Sequence, residues 1–246
     1  MPPFLSIVIP AHNEESRLPG TLPQVRAFLD SRPYSSELIV VDSGSSDATA
    51  VIARQFASDD PTMQVLTVDR PGKGLAVKRG MLAASGQYRF ICDADLSMPI
   101  EQVDRFLPPQ LTGVDIAIAS REAPGAVRYH EPAYRHLVGR AFNTLVRLLA
   151  IPGIDDTQCG FKCFAGPVAD DVFAVQTLQG WTFDVELLFV AQRRGYRIVE
   201  IPIPWYFNPG SRVRIMPDSV AMFTDLFRIR YNHLRGRYRP ASAQTA

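Results

Sequence analysis

Apolar residues in the first half of the chain fall in short continuous runs, separated by stretches whose apolar positions recur at helical spacing. LSIVIP (5–10), ELIVVD (37–42), QVLTV (64–68) and DIAIAS (115–120) predict buried strands, and YRFICDAD (88–95) predicts a strand running into a loop. Helices are predicted over about 16–29, over 46–58 with its start marked by SSDAT, and over 74–84. Strands that are apolar throughout and alternate with helices imply parallel pairing with both sheet faces covered. The fold class is therefore a doubly wound, mainly parallel α/β sheet.

The second half is less regular. Residues 134–150 predict a helix with Leu137, Ala141, Leu145 and Leu148 on one face, and FKCFAG (161–166) a short strand. Residues 183–194 predict a helix that Gly195 ends. RIVEIPIPW (197–205) carries two prolines and so reads as an edge strand. Near the C-terminus Pro217 suits the first turn of a helix. Val220, Phe223, Phe227, Tyr231 and Leu234 then recur at helical spacing, and residues 212–239 hold seven arginines against two acids, Asp218 and Asp225. A basic amphipathic helix with aromatics can lie in the interface of an anionic membrane; packing on the rest of the chain is the other reading. No internal repeat is visible, and the tail ASAQTA is expected to fray.

Composition narrows the class without choosing a function. The chain has 246 residues, 46% hydrophobic, with 26 Lys+Arg against 25 Asp+Glu. This is an ordinary globular balance, and a net charge of +1 gives no pull toward nucleic acid. Three cysteines cannot all pair internally, which favours a reducing compartment, and Cys159 and Cys163 read as small buried residues. The N-terminus lacks a basic signal-peptide start, and no apolar run reaches the ~18–20 residues that cross a bilayer. The expectation is a soluble or surface-bound intracellular protein.

In a parallel α/β sheet a ligand sits beyond the carboxyl ends of the strands. Asn13 and Glu14 follow the first strand, Asp42 closes the second, and Asp93 and Asp95 follow the fourth. Singly, each suits a cap or turn. Together, acids at one sheet edge repel unless a cation or a ligand's donors neutralise them, and hard oxygen ligands suit Mg²⁺ or Mn²⁺ bridging to phosphates. In RPGKGL the glycines allow close approach of backbone to a ligand, and Lys73 brings a cation toward phosphate; a surface turn is the alternative. There is no GxxxxGK[ST], and no GxGxxG follows the first strand.

IVIPAHNEE, LIVVDSGSSDAT, RPGKGLAVKRGM, FICDADLSMP and TQCGFKCF, in this order, resemble the family 2 glycosyltransferases of GT-A fold, in the branch that makes dolichyl- and polyprenyl-phosphate sugars. The resemblance runs from about Leu5 to Val213. It implies a catalytic domain over 1–213, with a nucleotide-binding half (1–120) and an acceptor half (121–213), followed by the basic amphipathic helix and tail (214–246). It places Pro10, Ala11, Asn13, Glu14, Asp42, Gly44, Lys73, Asp93, Ala94 and Asp95 at the nucleotide sugar, with Asp93 and Asp95 as metal ligands. Ser43 stands where the family commonly has a second aspartate. Asp95, Asp184, Arg121 and Gln158 are the implied catalytic residues, and Arg121, Arg135, Arg140 and Arg212 the implied acceptor-phosphate ligands.

The reaction implied is inverting, metal-dependent transfer of glucose from UDP-glucose to a polyprenyl phosphate. DADLSMP and SRVRI look nearer to glucosyl-transferring members than to those using GDP-mannose. Rival readings are a transferase with a soluble hydroxyl acceptor, for which Asp184 or Glu186 is the base, and a sugar-nucleotide binding module without turnover. Asp184 and Glu186 also suit the first turn of a helix, favouring its dipole. The remaining expectations are a peripheral position on the cytoplasmic, inner face of a membrane through the C-terminal helix, no nucleic-acid partner, and a homodimer left open. Trp205 and Tyr206 are expected in the core rather than in a pocket.

Overall fold

The structure, a computed structural model, describes residues 1–208 and 215–239. The strands are β1 (Leu5–Ala11), β2 (Ser36–Ser43), β3 (Met63–Val68), β4 (Tyr88–Ile91), β5 (Ile116–Ser120), β6 (Val127–Tyr129), β7 (Lys162–Ala165), β8 (Ile198–Pro202) and β9 (Pro204–Tyr206). The helices are α1 (Leu18–Asp30), α2 (Thr49–Ser58), α3 (Lys73–Ala83), α4 (Ala133–Leu149), α5 (Gly166–Ala174), α6 (Phe183–Arg193) and α7 (Ile215–Leu234).

Seven strands form one sheet in the order β3-β2-β1-β4-β7-β5-β8. Only β7 runs against its neighbours β4 and β5; the other pairings are parallel. Its reversal matters: the residues entering β7 reach the same edge as those leaving β4 and β5, so Ile91 and Ile118 both pair with Lys162. Alternation along the strands divides two cores. Val8, Ile39 and Val41 face one side, with residues of α3, α5 and α6; Ile7, Ile9, Leu38 and Val40 face the other, with α1. This is the doubly wound arrangement expected.

Several elements depart from the sequence expectation. The fourth strand is shorter than read, ending at Ile91, though Asp93 and Asp95 follow it in a loop as expected. GPVADDVFA forms the helix α5, and residues 100–106 a 3-10 helix, neither of which was expected. The stretch 197–205 does form the sheet edge as β8, but then breaks away at its prolines and pairs with β6 in a separate two-stranded sheet. Residues 209–214 and the tail beyond Arg239, including Arg212, Arg214 and ASAQTA, lie outside the described residues.

The stripes read on the last two long helices point outward. On α7 it is Met222, Leu226 and Ile229 that are buried, whereas Val220, Phe223, Phe227, Tyr231 and Leu234 are exposed. On α4, Val146 is fully buried and Leu137 and Leu148 are exposed. Residues on opposite sides of a helix can share one apolar character, and spacing alone cannot say which side meets the core.

Glu186, a candidate base from sequence, is a fully buried tie instead. Its carboxylate accepts hydrogen bonds from the backbone N–H of Thr177 (3.0 Å) and Leu178 (2.7 Å), the Thr177 hydroxyl and the Tyr238 hydroxyl (2.7 Å). It thereby fastens the loop before α6 and the segment after α7 to one core. Glu186→Gln replaces an acceptor with a donor facing these donors, and should cost about 1–3 kcal/mol in urea unfolding.

Candidate functional site

A cavity of about 730 Å³ opens at the carboxyl edge of the sheet, a volume suited to a small-molecule ligand. Pro10, Ala11, Glu14 and Ser43 line it from β1 and β2, Lys73 from the start of α3, and Asp93, Ala94 and Asp95 from the loop after β4. Arg121 follows β5, Gln158 and Gly160 precede β7, and Trp181 and Asp184 stand at the start of α6. Arg135, Val138, Phe142 and Asn143 of α4 and Met222 of α7 complete the wall.

Opposite charges alternate around it. Lys73 Nζ meets Asp93 Oδ1 at 2.7 Å, Lys162 Nζ meets Asp184 Oδ1 at 2.8 Å, and Arg121 grips Asp156 through Nε (2.7 Å) and Nη2 (2.9 Å). Burial would by itself lower the Lys73 ammonium, but Asp93, Asp184 and Asp95 outweigh it and raise it. Burial raises the Asp184 carboxyl, opposed by Lys162 and Lys73. At Asp156 burial also pushes upward, yet the Arg121 guanidinium prevails and holds the carboxyl at about 2. Asp95 Oδ1 accepts the Ser97 N–H at 3.0 Å, which fixes its turn.

The donor set fits a divalent cation only in part. Among the described residues no three His, Cys, Asp or Glu side chains gather as a metal site. Asp93 and Asp95 supply hard carboxylate oxygens on one cavity wall, suited to Mg²⁺ or Mn²⁺ that takes its other ligands from a diphosphate.

Other residues singled out from sequence are placed differently. Asn13 has a left-handed backbone (φ 53°); its amide oxygen accepts the Ser46 N–H (2.8 Å), joining the loops after β1 and β2 rather than lining the cavity. Asp42 and Gly44 also stand off the lining, although a buried Asp42 carboxylate oxygen has no hydrogen-bond partner among the described residues. Arg140 is exposed and outside the cavity, although its neighbour Gly139 lines it. The glycines beside Lys73 serve packing: a Cβ on Gly72 would lie 2.9 Å from the Gln179 carbonyl oxygen, and one on Gly74 2.7 Å from Phe183 Cβ. They admit the loop before α6, while Gly72 also lines the cavity beside Lys73.

Sequence reasoning passed over Asp156, whose signal was only an acid two positions before Gln158. Trp205, expected in the core, does pack against it but also lines the cavity, with the Arg121 guanidinium 5.3 Å from its ring centroid. Tyr206 is exposed and stacks on Tyr129. Cys92, Cys159 and Cys163 are buried free thiols; burial raises Cys159 to about 12 and Cys163 higher still, consistent with small core residues.

The sequence profile described as Glycosyl transferase family 2 matches residues 6–165. The dolichyl-phosphate beta-glucosyltransferase of Drosophila melanogaster is 34% identical over 255 residues, covering 98% of this chain and 78% of that protein. The Dictyostelium discoideum protein of the same name is 31% identical, covering 95% and 76%. Glucosyl-3-phosphoglycerate synthase from Mycobacterium tuberculosis, solved with UDP, superposes at a TM-score of 0.65 and 22% identity over 96% of this chain and 80% of that one. Its structure with Mn²⁺, UDP and glucosyl-3-phosphoglycerate gives a TM-score of 0.65 at 21% identity, with the same coverage. These superpositions bear on the fold, which they share.

A Cβ on Gly160 would stand 2.0 Å from Asp93 Oδ2, so Gly160→Ala must turn that carboxylate aside. Ligand turnover should fall by about 10²-fold in kcat, with the melting temperature retained. Asp156→Asn should destabilise the fold by about 3 kcal/mol at pH 7, since it leaves Arg121 without its anionic partner. The folded-state carboxyl lies at about 2, below an unfolded value of ~3.9. The pair's contribution is therefore complete above ~4, and in denaturation series the gap between wild type and variant should narrow as pH falls toward 2.

Proposed function

The chain belongs to glycosyl transferase family 2 and is a hexosyltransferase, and from that premise we propose that it moves glucose from UDP-glucose to a polyprenyl phosphate of the dolichyl type. A phosphate oxygen of the acceptor attacks the anomeric carbon, the bond from that carbon to the UDP oxygen breaks, and configuration inverts. The product is a glucosyl phosphate of β configuration.

The observation that carries this reading is the gathering of cationic and anionic groups around one cavity. At the sheet edge Lys73 stands with Asp93 and Asp95, and Arg121, Arg128 (held by Glu122 and Glu131) and Arg135 line the same cavity. Two phosphate-bearing ligands meeting at one sugar need such an arrangement, because each carries charge that fixed cations must match. Pro10, Ala11, Glu14 and Ser43 hold the nucleoside end, with Asp42 and Asn13 shaping it from behind. Lys73 faces the diphosphate; Gln158 and Trp181 flank the sugar. Asp93 and Asp95 would hold a divalent ion, which would supply positive charge against the diphosphate leaving group. In this reading residues 1–120 serve the donor, 121–213 the acceptor, and 214–246 a membrane surface on the cytoplasmic side.

The acceptor's chemistry agrees with the carboxylates available. A sugar or glycerate hydroxyl would require a general base. Glu186 is buried among four donors, and Asp184 is paired to Lys162. A phosphate monoester, with a second pKa of ~6, is already ionised and needs no base. Asp184 then orients, through its pair with Lys162, rather than abstracts.

Purified protein supplied with UDP-glucose and a short-chain polyprenyl phosphate should form lipid-linked glucose. GDP-mannose should give little, and chelation of divalent ions should stop turnover. Absence of a lipid-linked product from either donor would overturn the reading. Asp95→Ala should abolish turnover while circular dichroism stays unchanged and stability falls by no more than about 1 kcal/mol, the worth of the lost Ser97 hydrogen bond.

A further inference from the structure

Three arginines line one stretch of the cavity: Arg121 after β5, Arg128 in β6 and Arg135 in the first turn of α4. Two of them are already engaged by carboxylates. Arg121 is paired with Asp156, and Arg128 with Glu122 (2.5 Å) and Glu131 (2.6 Å). Arg135 has no carboxylate partner among the described residues, and its buried Nε has no hydrogen-bond partner there. An aromatic ring takes the carboxylate's place. The Arg135 guanidinium carbon lies 5.2 Å from the centroid of Phe207.

That ring continues β9. Side chains alternate along an extended segment, so Trp205 and Phe207 share one side and Tyr206 takes the other. Trp205 and Phe207 line the cavity with ring centroids 6.1 Å apart, whereas Tyr206 is exposed and stacks on Tyr129. Trp205 serves the other two arginines: the Arg121 guanidinium is 5.3 Å from its centroid and that of Arg128 6.0 Å. Backbone bonds fasten the segment on both sides. Tyr206 N–H donates to the Ser97 carbonyl (2.8 Å), and Phe207 N–H to the Tyr129 carbonyl (3.0 Å). Ser97 belongs to the loop of Asp95, whose carboxylate its own N–H reaches. One short strand therefore joins the loop of the paired aspartates to the row of arginines.

A ring and a carboxylate hold an arginine in different ways. A carboxylate takes up N–H donors and offsets the charge. A ring attracts the cation through its π face, which uses none of the in-plane donors and leaves the charge uncancelled. Of the three arginines, Arg135 alone is held by a ring without a carboxylate among the described residues. Such a guanidinium is restrained and still has its donors and charge for an incoming anion.

We propose that Phe207, with Trp205 beside it, is a positioning residue for the acceptor: its ring presets the Arg135 guanidinium so that the N–H donors meet the acceptor's phosphate. The inference rests on the phosphate acceptor proposed above. A long side chain that is already ordered loses less freedom when ligand arrives, so the effect falls on acceptor affinity rather than on the chemical step.

The test follows transfer from UDP-glucose to a short, water-soluble prenyl phosphate, and binding of that phosphate by calorimetry. Phe207→Leu keeps an apolar side chain and loses the ring. It should raise KM and Kd for the prenyl phosphate about five- to tenfold, with kcat and UDP affinity unchanged. Phe207→Tyr, which keeps the ring, should stay within about twofold of wild type. Tyr206→Leu, on the opposite side of the same segment, should have no effect on acceptor affinity. Arg135→Met should weaken acceptor binding further, and in that background Phe207→Leu should add little, because a residue that acts through another then has nothing to act on. Wild-type acceptor affinity in Phe207→Leu would overturn the proposal, as would an effect of full size in the Arg135→Met background. So would a loss spread equally over acceptor affinity, UDP affinity and melting temperature, which is the mark of a merely structural side chain. Wild type that binds the prenyl phosphate without forming product would strike instead at the transfer reading, while the binding measurements on the single and double variants would still decide the role of Phe207.

Discussion

The molecule is organised around buried charge at one edge of its sheet. Asp93, Asp156 and Asp184 come together there, and each meets a cation of the chain: Lys73, Arg121 and Lys162. Lys162 is 1% exposed and Asp156 0%, so neither can fall back on water. A charge so placed persists only when paired and hydrogen-bonded, which makes the edge rigid as well as polar. The sheet supplies the pairing by topology. Because β7 runs backwards, Gln158, Gly160 and Lys162 arrive beside residues that leave β4 and β5.

That edge needs support from behind, and the support is backbone packed without space to spare. Gly72 and Gly74 let the loop of Leu178 and Gln179 lie directly on the start of α3. The same loop is held by Glu186, and Glu186 in turn by Tyr238, more than fifty residues on. Position of the Trp181 and Asp184 side chains is therefore set by contacts with the start of α3 and with the segment after α7. The site's second wall, α4, rests on fewer such ties. Its inner side has Val146 and Asn143 in the interior, while most of its surface looks outward.

The sheet and its order of strands were legible because burial on both faces leaves unbroken apolar runs, a signal that survives without context. The acids at the strand ends were legible for a related reason: polar residues directly after such runs have few places to go. Glu186 and Asp184 show where that reasoning stops. Two residues apart on one helix, both in its first turn, they read alike, yet one opens on the cavity and the other is sealed among backbone donors. Trp205 was legible only in part, because an aromatic after an apolar strand suits a core equally well. Only the departure of β9 from the sheet turned it toward Arg121.

By itself the sequence determined the doubly wound sheet, the family, and the strand-end loops that carry the chemistry, since local hydrophobic periodicity and ordered motifs are properties of the chain. Tertiary structure alone decided which cation meets which carboxylate, because those partners are 20 to 35 residues apart and are joined by packing. It also decided which side of α4 and α7 faces out. A helix offers several sides, and burial of one is settled only when another element arrives to cover it.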